Sequence, residues 1–216
     1  MLIKENLKHI KKQLPEEVTL VAVSKTKPVQ IILEAYDAGQ RIFGENKIQE
    51  MVDKYDDLPK DIKWHMIGHL QRNKVKYMAH FVELIHGVDS FKTLMEINKQ
   101  AQKHQRVINC LLQVRIAKED TKFGLSFAEI ENILTSNELK DLKHIRVIGL
   151  MGMASFTNDL DQIKAEFKSL NTFFRELKTL HPSLNTLSTG MSGDFEIAIE
   201  CGSTMVRVGS AIFGSR

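Results

Sequence analysis

The segment Val18-Thr-Leu-Val-Ala-Val-Ser24-Lys25-Thr-Lys-Pro28 is an apolar run that ends on a lysine and is closed by a proline. In an extended strand Val21, Val23 and Lys25 share one face, while Leu20, Ala22 and Ser24 share the other. If the valine face meets a core, Lys25 sits at its rim. Partial desolvation there lowers a lysine pKa and yields a neutral amine for Schiff-base formation with a carbonyl compound. The plain alternative is a solvated lysine opening a loop, a common place for this residue. Two loops far along the chain bear on that choice. Ser188-Thr-Gly-Met-Ser-Gly193 is a small-residue loop leading into a helix near Asp194, where free backbone N–H groups and the helix dipole attract an anion. Arg207-Val-Gly209-Ser210 places a flexible backbone after the last apolar run. Taken singly, Ser192 reads as a helix N-cap and Gly209 as a turn. Together, and opposite a rim lysine, the two loops point to a phosphorylated aldehyde.

The elements that must hold these residues alternate. Strand patterns fall at 18–23, 41–43, 64–67, 81–85, 109–114, 147–151, 186–188 and 205–208. Helical patterns fall between them, at 29–38, 46–55, 74–78, 90–104, 126–135, 160–180 and 194–199. Strands separated by helices imply parallel pairing through crossovers, and eight such units close into a (β/α)₈ TIM-type barrel, here a single domain over 1–216. An open doubly wound sheet is the competing arrangement. Leu2, Ile3, Leu7, Ile10 and Leu14 recur at helical spacing before Pro15, so an extra amphipathic helix precedes the first strand. Barrel sites lie at the C-terminal ends of the strands. That rim would carry Lys25, Glu45 with Asn46, His69 with Gln71, and His86 with Asp89. It continues through Met153 with Ser155 and Ser188 to Ser192, and closes at Arg207 to Ser210.

Composition narrows the class. Hydrophobic residues make up 43% and charged residues 26%, enough for a full core. Net charge is +3, from 30 basic and 27 acidic residues, too weak and dispersed to argue for a nucleic-acid or membrane partner. The basic cluster Arg72-Asn-Lys-Val-Lys76 reads as a solvated helix start. Cys110 and Cys201 show no CxxC or metal-ligand spacing and read as reduced, buried thiols of a cytoplasmic protein. The first ten residues are charged and helix-periodic, without the apolar core of a signal segment, and no later run reaches membrane-spanning length.

Several motifs then converge on one family. Val21-Ala-Val-Ser-Lys25-Thr-Lys-Pro28, Phe43-Gly-Glu-Asn46 with Gln49-Glu50, and Trp64-His-Met-Ile-Gly-His-Leu-Gln71 followed by Asn73-Lys74 resemble the pyridoxal phosphate homeostasis protein family. So do Lys122-Phe-Gly124, Gly149-Leu-Met-Gly-Met153, and the block from Leu187-Ser-Thr-Gly-Met-Ser192 through Gly202-Ser-Thr-Met-Val-Arg-Val-Gly209 to Ile212-Phe-Gly214. The resemblance spans nearly the whole chain. It implies an alanine-racemase-like barrel of the third pyridoxal 5'-phosphate (PLP) fold type, with the cofactor held as an internal aldimine on Lys25. It also implies Asn46 near the ring, Ser188 and the Gly209–Ser210 backbone on the phosphate, and Arg207 facing the pyridine nitrogen. An arginine is always protonated, so it would keep that nitrogen unprotonated and the ring a weak electron sink. One departure stands out: the family often has a small polar residue where this chain reads Arg115 after Gln113-Val114.

Other polar groups read more plainly. His65 and His69 are four apart, a spacing that pairs ligands on a helix but not on this strand and turn, and no cysteine or carboxylate completes a set, so no metal site is expected. Glu119 and Asp120 read as a solvated turn. Of Met151, Met153, Met191 and Met205, only Met153 is kept as a ring neighbour, because methionine is mostly core filler. The racemases this family resembles use a tyrosine from an additional β-domain as second base, whereas the chain ends at Arg216 and Tyr36, Tyr55 and Tyr77 fall in or beside helical segments. The expectation is therefore a soluble, monomeric PLP carrier or buffer serving vitamin B6 homeostasis, with apo PLP-dependent enzymes as recipients and no robust turnover. The alternatives are an amino-acid racemase using Lys25 alone or with His86 or Cys201, and an aldolase-like barrel binding a sugar phosphate directly.

Overall fold

The computed structural model describes residues 2–117 and 123–214. Glu119, Asp120 and Lys122 lie outside the described residues. The helix expected at the start is α1, Leu2–Gln13, which buries Ile3, Leu7 and Ile10. The strands are β1 Thr19–Val23, β2 Ile42–Glu45, β3 Lys63–Met66, β4 Leu84–Val88, β5 Ile108–Val114, β6 Ile145–Gly152, β7 Thr186–Ser188 and β8 Met205–Val208. They form a closed barrel in chain order, each neighbouring pair parallel. Closure is made by β1 on β8, in register from Thr19↔Met205 to Ala22↔Val208.

Parallel neighbours require crossovers. These are α2 Val29–Asp37, α3 Ile48–Asp57, a 3₁₀ helix Arg72–Tyr77, α4 Phe91–Lys103, α5 Phe127–Thr135 with α6 Asn137–Asp141, α7 Leu160–Leu180 and α8 Phe195–Glu200. A short α9, Ser210–Phe213, follows β8. Local chemistry starts several of them: Ser90 caps α4, Ser126 and Glu129 form a reciprocal capping box on α5, and Asp159 caps α7.

The two-residue period of β1 divides its side chains as the sequence implies. Leu20 and Ala22 join Ile32, Ala35, Phe43 and Trp64 in the layer between barrel and helices. Val21 points inward and packs with Leu84, Leu111, Met151 and Met205. Each fully buried aliphatic side chain of this kind contributes about 1.5–3 kcal/mol. Above that apolar floor the interior turns polar, with His65, His86, Ser188 and Arg207 all buried.

Two strands differ from expectation in ways that matter for the site. The fourth begins at Leu84 rather than at 81, because Val82 still donates to the Met78 carbonyl at 2.9 Å and the chain meets β3 only from Glu83 onward, first by Glu83 N–H on the Trp64 carbonyl and then in register at His65↔Leu84 and Met66↔Ile85. Phe81 belongs instead to the outer layer, stacked on Tyr55 at 4.0 Å. His86, expected at the rim, therefore sits within β4, inside the barrel. The second strand runs on to Glu45 and α3 starts at Ile48, so Asn46 is left in the connecting loop, facing the barrel mouth.

Candidate functional site

The turn that carries Lys25 is tightly built. Lys27 N–H closes it on the Ser24 carbonyl at 3.0 Å. Thr26 adopts a left-handed φ of 64°, unfavourable for a β-branched residue. Glu50 of α3 accepts a hydrogen bond from the Thr26 backbone N–H and holds that conformation in place. Glu50 is in turn paired with Lys54, whose Nζ lies 2.7 Å from Glu50 Oε1, 2.8 Å from Glu45 Oε1 and 2.8 Å from the Ser24 carbonyl. Ser24 Oγ donates to the same Glu45 oxygen. Burial raises the Glu45 carboxyl pKa, and the Lys54 charge opposes that rise. This network fixes both ends of the turn, and Lys25 projects from it. Lys25 is half-buried, and its Nζ has no hydrogen-bond or ion-pair partner among the described residues. Lys27, two residues on, is spent: its Nζ donates to the carbonyls of Phe213 and Gly214, each at 3.1 Å.

Lys25 opens into a cavity of about 450 Å³ at the C-terminal end of the barrel. Asn46, Met153, Arg207, Gly209 and Ser210 line the same cavity. Gly209 must approach β1 closely, since a Cβ there would lie 3.1 Å from the Val23 carbonyl oxygen and 3.2 Å from Val23 Cβ. Ser192 is not a helix N-cap. Its Oγ accepts from Gly209 N–H at 3.1 Å and so ties the β7 loop to the segment after β8, while Asp194 accepts from the Met191 backbone N–H at 2.6 Å. Gly190 makes this bend possible with a φ of 90°, where a Cβ would come within 2.7 Å of Ala198 Cβ.

Ser188 is the exception among the expected positions. It is fully buried and does not line the cavity. Its Oγ lies 2.6 Å from Arg207 Nη1 and 3.0 Å from His86 Nδ1, so the hydroxyl faces the barrel interior behind Arg207 and not the cavity. Arg207 also donates through Nη1 to the Ser188 carbonyl at 2.8 Å and through Nη2 to the Gly152 carbonyl at 3.1 Å. Burial pulls its pKa down to about 10, with Asp194 opposing, so the side chain is a cation at neutral pH. Its Nε–H has no partner among the described residues.

Other groups at or beneath the cavity carried weaker signals in the sequence. Met191, set aside there as core filler, lines the mouth and is 40% exposed. His69, placed on the rim by its position after the third strand, lines it too, with Nδ1 3.3 Å from Asp89 Oδ2 and its ring stacked on Phe123 at 4.0 Å. Lys54 and Glu50 look in sequence like an ordinary solvated i,i+4 pair, and the signal beside them is the motif Phe43-Gly-Glu-Asn46 with Gln49-Glu50. Arg115 is exposed and outside the cavity lining, so the departure from the family pattern does not reach it. His65 and His69 do not come together, and no cluster of three or more potential metal ligands occurs among the described residues. His86 and Cys201, the bases considered for a racemase, are not at the cavity either: His86 is within the barrel, and Cys201 follows α8 with burial raising its thiol pKa.

Comparison with known proteins decides the family. Residues 2–216 match the family model described as alanine racemase, N-terminal domain. The pyridoxal phosphate homeostasis protein of Vibrio alginolyticus is 39% identical, over 99% of this chain and 97% of its own length. That of Escherichia coli K12 is 40% identical, over 94% of this chain and 87% of its own. This chain belongs to the pyridoxal phosphate homeostasis protein family. Solved structures agree. PipY of Synechococcus elongatus PCC7942 superposes with a TM-score of 0.91 without PLP and 0.89 with PLP bound, at 37% identity, over 98% of this chain and all of that one. An alanine racemase of Clostridium difficile 630 matches with a TM-score of 0.80 but 14% identity, and this chain covers 57% of it, a likeness of fold alone.

Proposed function

We propose that this protein binds PLP covalently through Lys25 and serves intracellular PLP homeostasis as a carrier or buffer. The observation that carries the reading is an unpartnered lysine amine opening, with a buried arginine cation and two glycine-bearing loops, into one cavity, in a chain 37% identical to PipY, whose structure is solved with PLP bound. The residues present fit the group: an amine for an aldehyde, loops 188–193 and 209–210 for a phosphate, and a cation for a ring nitrogen. When bound, PLP supplies an aldehyde electrophile conjugated to an aromatic ring. The Lys25 amine is the group that would hold that carbonyl, a reversible linkage made with loss of one water. Asn46 and Met153 would lie beside the ring, and Arg207 would offer its Nε–H to the ring nitrogen. Ser192, Gly193, Gly209 and Ser210 line the part of the cavity where these loops meet and would hold the phosphate.

The protein works as a single-domain monomer in the cytoplasm and hands PLP to apo PLP-dependent enzymes. No described helix is long and apolar enough to cross a membrane, and both cysteines are free and buried. The racemase reading has weaker support: Tyr36, Tyr55 and Tyr77 are all absent from the cavity lining.

The test is direct. Protein purified with PLP should absorb in the visible and, after borohydride reduction, carry one pyridoxyl adduct on the peptide containing Lys25. Lys25→Ala should lose the adduct and retain weaker, non-covalent PLP binding. An adduct persisting in Lys25→Ala, with Lys27 the first peptide to search, overturns the assignment. A colourless protein that captures a sugar phosphate with borohydride overturns the function in favour of an aldolase.

A further inference from the structure

Behind Arg207 lies a set of buried polar groups that the proposed chemistry does not use. His86 Nδ1 is 3.0 Å from Ser188 Oγ, and His86 Nε2 is 3.1 Å from His65 Nδ1. These residues come from β3, β4 and β7, and Arg207 from β8, so the chain of contacts crosses the barrel interior instead of following the sheet. All four side chains are buried: His65 is 3% exposed, His86 and Ser188 not at all, and Arg207 3%. Buried polar groups at this depth are retained with their hydrogen bonds made.

The direction of the chain follows from donor chemistry. Arginine only donates, so Ser188 Oγ accepts from Nη1. The hydroxyl proton of Ser188 then has His86 Nδ1 as its one acceptor. His86 is thereby the Nε2–H tautomer and donates to His65 Nδ1, which makes His65 an Nε2–H tautomer as well. Reversing the chain would put a proton on His86 Nδ1, and both the Ser188 O–H and the His65 Nε2 lone pair would lack partners. The forward direction leaves one group over, the reverse two. Burial and the neighbouring Arg207 charge both keep His86 neutral, and burial with Lys63 at the strand's start keeps His65 neutral.

We propose that His65, His86 and Ser188 are positioning residues: a one-way hydrogen-bond chain that turns the Arg207 Nη groups into the barrel and leaves Nε–H facing the cavity. The site then selects ligands whose facing ring atom is an unprotonated acceptor. The chain ends on a serine hydroxyl, which accepts from the guanidinium without adding a charge, and Asp194 is the carboxylate that acts on Arg207 from outside the chain. The inference rests on the PLP reading for the identity of that ligand, and on this chain's own geometry for the rest.

Two measurements separate the parts. In the unliganded wild-type protein, imidazole ¹⁵N shifts of His65 and His86 should report the Nε2–H tautomer, unchanged from pH 6 to 8. An Nδ1–H tautomer, or titration of either ring in that range, overturns the chain whether or not PLP binds. Affinity for PLP is then compared with affinity for its 1-deaza analogue, which has C–H in place of the ring nitrogen. Wild type should prefer PLP at least tenfold. His86→Leu and Ser188→Ala should lose most of that preference. His86→Asn, whose amide oxygen replaces Nδ1 as acceptor, should keep it, a rescue that a merely structural role would not produce. Undiminished preference in His86→Leu, or its loss in His86→Asn with the fold intact, overturns the positioning role. A wild type that binds neither compound overturns the PLP reading, and the nitrogen shifts still decide the chain.

Discussion

Lys54 and Glu45 form a buried ion pair, Nζ to Oε1 2.8 Å, with side chains 7% and 0% exposed, directly beneath the turn that carries Lys25. Glu45 Oε2 has no hydrogen-bond partner, one of two such buried side-chain atoms among the described residues, the other being Trp64 Nε1. Glu45 is thus already short of partners, and Lys54 is what makes its charge tolerable.

Lys54→Met should therefore cost about 3–5 kcal/mol of unfolding free energy, the usual penalty for leaving one member of a buried pair alone. Adding Glu45→Gln should recover part of that loss, because the isolated charge is gone. Urea unfolding of the two variants checks the loss and its recovery. PLP binding should be weakened in each, since Lys54 and Glu50 also hold the Thr26 turn.

Stability should fall on mild acidification. Burial pushes the His65 pKa down to about 3, and His86 moves in the same direction. The unfolded chain takes up these protons near the ordinary histidine value of about 6.5, while the folded chain does not. Their contribution is complete above that value and is lost as pH falls toward the folded pKa. The expected slope is up to about 1.4 kcal/mol per pH unit for each histidine between pH 6 and 4. His65→Phe should remove one proton from that slope, as measured by urea unfolding at a series of pH values.

Gly190 and Gly39 share a φ of 90° but not their surroundings. A Cβ on Gly39 meets nothing within 4 Å, whereas on Gly190 it would lie 2.7 Å from Ala198 Cβ and 2.9 Å from Phe195 Cα. Gly39→Ala should cost about 1–2 kcal/mol, the left-handed penalty alone. Gly190→Ala adds overpacking of about 1–3 kcal/mol and should also weaken phosphate-dependent binding, because it displaces the loop carrying Ser192. Thermal unfolding with and without PLP distinguishes the two.

The place of Lys25 at the barrel mouth was legible because a period-two pattern and barrel topology both refer to the strand end, a local feature. The eight-fold alternation was legible for the same reason, each βα unit announcing itself within some 25 residues. His86 and Ser188 were not. Whether a residue near a strand end faces loop or interior depends on register, and the apolar Phe81-Val82 pair disguised where β4 begins. That His65, His86, Ser188 and Arg207 meet at all depends on closure, which brings strands three and four opposite strands seven and eight across more than a hundred residues. Lys54 illustrates the same limit: an i,i+4 carboxylate four residues before it suggests a solvated pair, and only packing of α3 on β2 makes it a buried one.

Carrier and racemase differ in one measurable respect, the fate of the amino acid α-proton. Two-base racemisation needs an acid–base group on each face of the cofactor ring. Lys25 lines one side. None of the tyrosines lines the cavity: Tyr36 donates to Asp61, Tyr55 stacks on Phe81, and Tyr77 lies on the exposed 3₁₀ helix. His69 is the imidazole that does line it, with Nδ1 toward Asp89. With the PLP-loaded protein in deuterated water, amino acids should displace Lys25 and release PLP adducts, while α-proton exchange stays within about tenfold of free PLP, equivalent to about 1.4 kcal/mol of barrier. Exchange well above that, abolished by His69→Asn, would assign His69 as the second base and make this protein an enzyme.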